Sequence, residues 1–147
     1  MNDVTMRAGE ILEACVYAAD LDAAERFYTG VLGLQVITRV DDRHVFFRCG
    51  SRVFLVFNPE RTREGGMIPG HGAAGPGHVC FAMRQSEAAA WRARLESAGV
   101  PIETEFQWPG GGLSFYFRDP GGNSLELGTP RIWKLEEADV FGAGKAG

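Results

Sequence analysis

Long apolar runs are missing from this 147-residue chain, as are a basic surplus, a paired set of cysteines and a charged-then-apolar leader. Without about 18 to 20 consecutive apolar residues it has no transmembrane helix. Met1 to Glu10 lacks the order of a secretory signal, so a soluble, cytoplasmic protein is expected. The formal net charge is -4, and Lys and Arg are scattered. That leaves no footprint for a phosphate backbone, and neither nucleic acid nor a membrane is an expected partner. Cys15, Cys49 and Cys80 are odd in number and form no CxxC pair. This excludes a disulfide framework and a four-thiolate zinc site, so they are read as reduced thiols.

What is present suffices for one buried core: 45% of the residues are hydrophobic, and the length is short for two conventional domains. Ile11 to Tyr17 reads as a strand. Asp20 can cap a helix whose Ala23, Phe27, Tyr28 and Val31 recur at helical spacing, and Gly33 stops it. Leu34 to Val40, His44 to Cys49 and Val53 to Phe57 are rich in β-branched and aromatic residues, separated by the turn signals Asp41-Asp42 and Gly50-Ser51. Residues 59–77 are rich in Gly and Pro and read as a connecting loop. The order then begins again. His78 to Met83 is a strand, Ser86 can cap a helix with Ala90, Trp91, Leu95 and Ala98 on one face, and Gly99 ends it. Three more strands follow over Ile102 to Trp108, Leu113 to Arg118 and Ser124 to Gly128.

Phe47-Arg48 in the first half matches Phe117-Arg118 in the second, an internal duplication of about 60 residues and longer than solenoid periods. The expected fold is α+β: two tandem βαβββ modules (10–58 and 78–130, linked by 59–77, with a tail 131–147 whose stretch from Lys134 to Gly147 frays) forming curved mixed sheets around a cleft.

Alternation along a strand puts Glu13, Cys15 and Tyr17 on one side. His78 takes the place of Glu13 in the repeat, and Cys80 that of Cys15. Near the end, Glu126 stands between Leu125 and Leu127, and a carboxylate in so apolar a strand needs a partner. A divalent cation shared by Glu13, His78 and Glu126 would supply one. The matching strand of the first half, VFLVF, is apolar throughout, so three protein ligands and open positions are expected. One imidazole and two carboxylates, formally -2, suit Mn²⁺, Fe²⁺, Ni²⁺, Zn²⁺ or Mg²⁺.

The segments ADLDAAERFYTGVLGL, GHVCFAM and SFYFRDPGGNSLEL, with most of the chain from Ile11 to Thr129, resemble the vicinal oxygen chelate superfamily. Its members include glyoxalase I, bleomycin-resistance proteins, extradiol dioxygenases and fosfomycin thiol transferases. The resemblance implies metal ligands at Glu13, His78 and Glu126, and a homodimer whose cleft is completed between chains. It also implies a small-molecule substrate held through vicinal oxygens, with Glu13 or Glu126 as the catalytic base. Ser114 to Glu126 is closest to the fosfomycin thiol transferases, which implies that Ser114 and Tyr116 contact substrate or a monovalent ion. Glu13 departs from the His that most members carry, and an iron dioxygenase site would need that second imidazole.

The leading expectation is therefore a metal-dependent lyase, isomerase or transferase. A metal-free binding protein of the bleomycin-resistance kind is the alternative, and an extradiol-type dioxygenase ranks third. Arg48 and Arg118 can clamp an anionic substrate, with salt bridges to local acids such as Asp119 as the competing role. His44, starting a hairpin, and His71, in the glycine-rich loop, are read as solvated. Cys15 and Cys80, facing the cleft, can be reactive thiols but are read as small buried hydrophobes, and Phe46, Phe54, Trp91 and Trp108 as core. DPGGN is a turn.

Overall fold

The computed structural model describes residues 6–142. Strand β1 (Glu13–Tyr17) leads through Ala18 and Ala19 to Asp20, whose carboxylate accepts the Ala23 amide at 2.9 Å and caps α1 (Leu21–Gly30). Leu21, Ala24, Phe27 and Tyr28 are the buried stripe of α1, the spacing that sets one helical face on a sheet. The chain leaves the helix at Gly33, whose φ of +72° suits a residue without a Cβ. Strands β2 (Gln35–Val40), β3 (His44–Cys49) and β4 (Arg52–Phe57) complete the module, and the sheet order is β1-β4-β3-β2 with β1 and β4 parallel.

The second module repeats this order with β5 (His78–Ala82), a 3-10 turn at Gln85–Glu87 running into α3 (Ala88–Ser97), then β6 (Thr104–Gln107), β7 (Leu113–Arg118) and β8 (Ser124–Gly128). Its sheet order is β5-β8-β7-β6, again with the first and last strands parallel. The two four-stranded mixed sheets confirm the expected α+β duplication.

One face of each sheet feeds a single core. Val45, Phe47, Phe54 and Val56 meet Phe27 and Tyr28, while Phe115, Phe117, Leu125 and Leu127 meet Met83 and Leu95. Rings cross between modules, Phe54 against Phe81 at 5.2 Å and Phe27 against Phe117 at 6.5 Å. The DPGGN turn does more than reverse the chain. The Tyr28 hydroxyl donates to Asp119 Oδ2 at 2.6 Å, and Asn123 donates to Asp119 from its amide (2.8 Å) and its side chain (2.9 Å). Asn123 also donates to the Tyr17 carbonyl and accepts from the Gly77 amide. This buried polar network ties α1 and β1 to the second module.

Three sequence expectations are corrected. The linking segment contains a helical turn, α2 (Pro59–Thr62), because the Asn58 side chain accepts the Glu60 amide at 3.1 Å and Pro59 occupies the first turn. The end of the described chain is folded into a 3-10 turn (Pro130–Trp133) and α4 (Glu137–Phe141). Glu137 accepts the Gln85 amide and Arg84 lies over the Phe141 ring, so this part of the tail is docked. Residues 143–147 of that tail lie outside the described residues. Strand β1 begins at Glu13, with Ile11 and Leu12 exposed.

Candidate functional site

Register and alternation define the faces turned away from the core. On the first sheet, Glu13, Cys15 and Tyr17 pair with Val53, Leu55 and Phe57, which pair in turn with Arg48, Phe46 and His44. On the second, His78 and Cys80 pair with Ser124 and Glu126, which pair with Arg118 and Tyr116, while Ser114 pairs with Gly128. Leu55 is thus the counterpart of Glu126, and the first sheet offers one carboxylate where the second offers an imidazole and a carboxylate.

His78 Nε2 lies 3.3 Å from Glu126 Oε1, and His78 Nδ1 is 2.9 Å from the Ser124 carbonyl oxygen. A carbonyl only accepts, so Nδ1 carries a hydrogen, and the ring is held with Nε2 turned towards the Glu126 carboxylate. The Tyr116 ring stacks on the imidazole, centroids 6.4 Å apart. Its hydroxyl is raised above the ordinary tyrosine pKa by burial and then by the Glu126 charge, so it holds its proton at neutral pH. Ser114 is fully buried, donates to Glu126 Oε2 at 2.5 Å and accepts from Trp108 Nε1 at 3.0 Å. The Cys80 thiol sits beside Glu126, and burial together with that charge pushes it up to about 12.

The structure therefore brings His78, Glu126, Ser114 and Tyr116 together. Glu13 does not join them: β1 lies beside β5, yet no three His, Cys, Asp or Glu side chains gather as a metal cluster among the described residues. Arg118 pairs with Glu103 and donates to the Gly122 carbonyl, so its acid partner is Glu103 and Asp119 is spent on Tyr28 and Asn123. Arg48 is exposed on the open face of the first sheet.

Other expectations change. His44 is buried, stacked on Phe46 at 3.9 Å and bonded through Nδ1 to Arg43, with burial lowering its pKa. It starts a hairpin, and its side chain is covered on the open face of the sheet by Phe46 and Phe57. His71 is not simply solvated: the Thr62 carbonyl accepts its amide, Tyr17 Oη is 2.7 Å from its Nδ1, and its ring meets Phe57 at 4.7 Å. Cys15 and Cys80 are on the open faces and exposed, because odd positions of β1 and even positions of β5 point away from the core. Trp108, read as core, is a site neighbour, 37% exposed. Its position six residues before Ser114 across a glycine-rich hairpin is the signal that could have found it.

The sequence profile of the glyoxalase/bleomycin resistance protein/dioxygenase superfamily matches residues 10–127. The chain belongs to this superfamily. A crystal structure of lactoylglutathione lyase from Agrobacterium tumefaciens is 41% identical, with a TM-score of 0.85 over 88% of this chain and 100% of that one. A superfamily protein from Nocardioides is 23% identical, with a TM-score of 0.70 over 98% of this chain and 91% of that one. The fosfomycin resistance protein FosX from Mesorhizobium loti is 19% identical, with a TM-score of 0.62 over 88% of this chain and 98% of that one. The last two likenesses show the fold alone. No curated protein matches the sequence.

Proposed function

We propose that the chain is a divalent-metal-dependent lyase of its superfamily, acting on a small substrate through two neighbouring oxygens. His78 and Glu126 hold the cation, and the third donor, the partner subunit's Glu13, comes from a second copy in a homodimer. The observation that carries this is the His78–Glu126 contact. With Nδ1–H committed to Ser124, Nε2 is held 3.3 Å from a carboxylate oxygen, a spacing at which both atoms can ligate one cation. The donor chemistry fits: a neutral imidazole and two carboxylates offset a divalent charge. Similarity to a lactoylglutathione lyase at 41% identity supports the reaction class.

When bound, such an ion supplies Lewis-acid stabilisation of substrate oxygens. The protein does the rest. Ser114 occupies Oε2 of Glu126 and leaves Oε1, beside His78 Nε2, as the oxygen that would ligate the ion or, on leaving it, take and return a substrate proton. Tyr116 stacks on the imidazole, with its hydroxyl near Glu126 and Ser114, while the exposed Arg48 is available to an anionic group.

The test combines metal analysis with subunit mixing. Loaded with Mn²⁺, Ni²⁺ or Zn²⁺, the wild type should retain one equivalent per chain, and His78→Ala, Glu126→Gln and Glu13→Ala should each lose it. Mixing the Glu13→Ala and His78→Ala variants should restore about a quarter of wild-type metal, because half the dimers are mixed and each holds one intact site of two. Cleavage of S-lactoylglutathione then tests the lyase step. No metal in the wild type overturns the proposal.

A metal-free small-molecule binder is the second reading, favoured by the aromatic character of the first sheet's open face, where Tyr17, Phe46, Phe57, His44 and His71 pack together. It predicts ligand binding that EDTA leaves unchanged.

A further inference from the structure

We propose that Trp108 is a positioning residue for Glu126, acting through Ser114, and that Ser114 serves the carboxylate instead of the substrate. The proposal rests on the metal-site reading above and extends it to a residue outside the ligand set.

Hydrogen-bond chemistry orders the relay. An indole N–H only donates, so at 3.0 Å from Trp108 Nε1 the Ser114 oxygen must accept. A hydroxyl has a single hydrogen, and Ser114 spends it on Glu126 Oε2 at 2.5 Å. With Ser114 fully buried, that hydrogen has no solvent to turn towards. The carboxylate is thereby required to accept at Oε2, and Oε1 is left facing His78 Nε2. Removing the indole N–H takes away the donor that anchors the Ser114 oxygen, and the contact through which Ser114 fixes the Glu126 plane loosens.

The hairpin carrying Trp108 is built to hold this geometry. The Trp108 amide donates to the Gly112 carbonyl and the Gly111 amide to the Trp108 carbonyl, both at 2.9 Å, which turns the chain tightly enough to bring the indole back over Ser114. Gly111 and Gly112 have φ of +104° and +102°, values that side chains rarely adopt. A Cβ at Gly112 would stand 2.8 Å from the backbone nitrogen of Ile132. Ile132 belongs to the 3-10 turn that directly follows β8, so the hairpin is seated on the continuation of the strand that carries Glu126. Trp108 packs edge-on to Phe106 at 4.9 Å, a contact that a phenyl ring can keep.

The experiment is isothermal titration of the full-length protein with Mn²⁺ or Zn²⁺ alone, with His78→Ala as the control that abolishes binding. Trp108→Phe should weaken metal affinity at least tenfold, the range found for partners that orient metal ligands, with an unchanged circular dichroism spectrum. Ser114→Ala should do the same, and the double variant should bind no more weakly than Ser114→Ala, because one residue acts through the other. With Trp91 and Trp133 replaced by Phe, saturating metal should shift Trp108 emission, and Ser114→Ala should abolish that shift even at saturation. Affinity within twofold of wild type in Trp108→Phe, or additive losses in the double variant, overturns the proposal while leaving the metal site standing. A wild type that takes no metal removes the site reading, and this proposal with it.

Discussion

Replacing Tyr28 by Phe deletes one oxygen from the centre of the molecule and tests the join between the modules. Tyr28 is fully buried and its hydroxyl donates to Asp119 at 2.6 Å. A hydrogen bond to a charged group contributes about 1.5 to 3 kcal/mol, so Tyr28→Phe should destabilise by about 2 kcal/mol near pH 8. At about 3 °C per kcal/mol for a chain of this size, the melting temperature should fall by about 6 °C. The effect should also depend on pH in a definite direction. Burial first, and then the Asp119 charge, raise the Tyr28 pKa far above its ordinary value. The folded protein therefore keeps this proton after the unfolded chain has released it near pH ~10. The stability that the retained proton represents is complete below that pH and declines above it at about 1.4 kcal/mol per pH unit. By pH 11.5 the wild type should have lost about 2 kcal/mol from this source. The Phe variant, with no phenol to ionise, loses none, so the two stability curves should converge. Urea unfolding followed by circular dichroism between pH 8 and 11.5 measures the difference. Tyr17 and Tyr116, also raised, are common to both proteins and cancel. A gap between the variants that is the same at pH 8 and pH 11.5 would refute the reasoning.

Two further outcomes are expected. Leu95 is fully buried on α3 under the second sheet, and Leu95→Ala should cost about 3 kcal/mol in urea melts; a loss under 1 kcal/mol would mean that the helix is packed more loosely than described. Cys80 is exposed as a residue, yet its sulfur is tucked against Gly128 and Glu126, where a Cβ added at Gly128 would lie 2.9 Å from Sγ. With the thiol pushed up to about 12, iodoacetamide at pH 8 should label Cys80 far more slowly than a free cysteine, and Glu126→Gln should speed it. Labelling at the free-thiol rate would show that the sulfur is not held against the carboxylate.

The duplicated fold was legible because its signals are local. Asp20 and Gly33 bracket α1, β-branched and aromatic runs mark the strands, and alternation alone placed Glu13, Cys15 and Tyr17 together. What was missed depended on contacts between distant segments. Asn58-Pro59 is a helix start hidden in a stretch dominated by glycine. His44 reads as a hairpin residue, and only its pairing with Phe57 shows that aromatic rings cover it. Arg118 stands next to Asp119 in the chain, but the strand geometry gives Asp119 to Tyr28 and leaves Glu103 for the guanidinium. The candidate site was half legible. His78 and Glu126 are in contact within one chain, whereas Glu13 does not join them there, and no spacing within one chain encodes how two copies would associate.

In both sheets the strand made last is inserted beside the strand made first, as β1-β4 and β5-β8 show. During synthesis this means that β5 and β7 emerge with unfilled edges and wait for β8 to lie between them. The same strand delivers Glu126, so completion of the sheet and appearance of the carboxylate are one event. A chain that stops short of Ser124 would expose two bare strand edges, open to pairing with other chains. A ligand that Glu126 helps to hold can thus stabilise only copies that have been finished, and defective products would enter aggregation or turnover without ever competing for it.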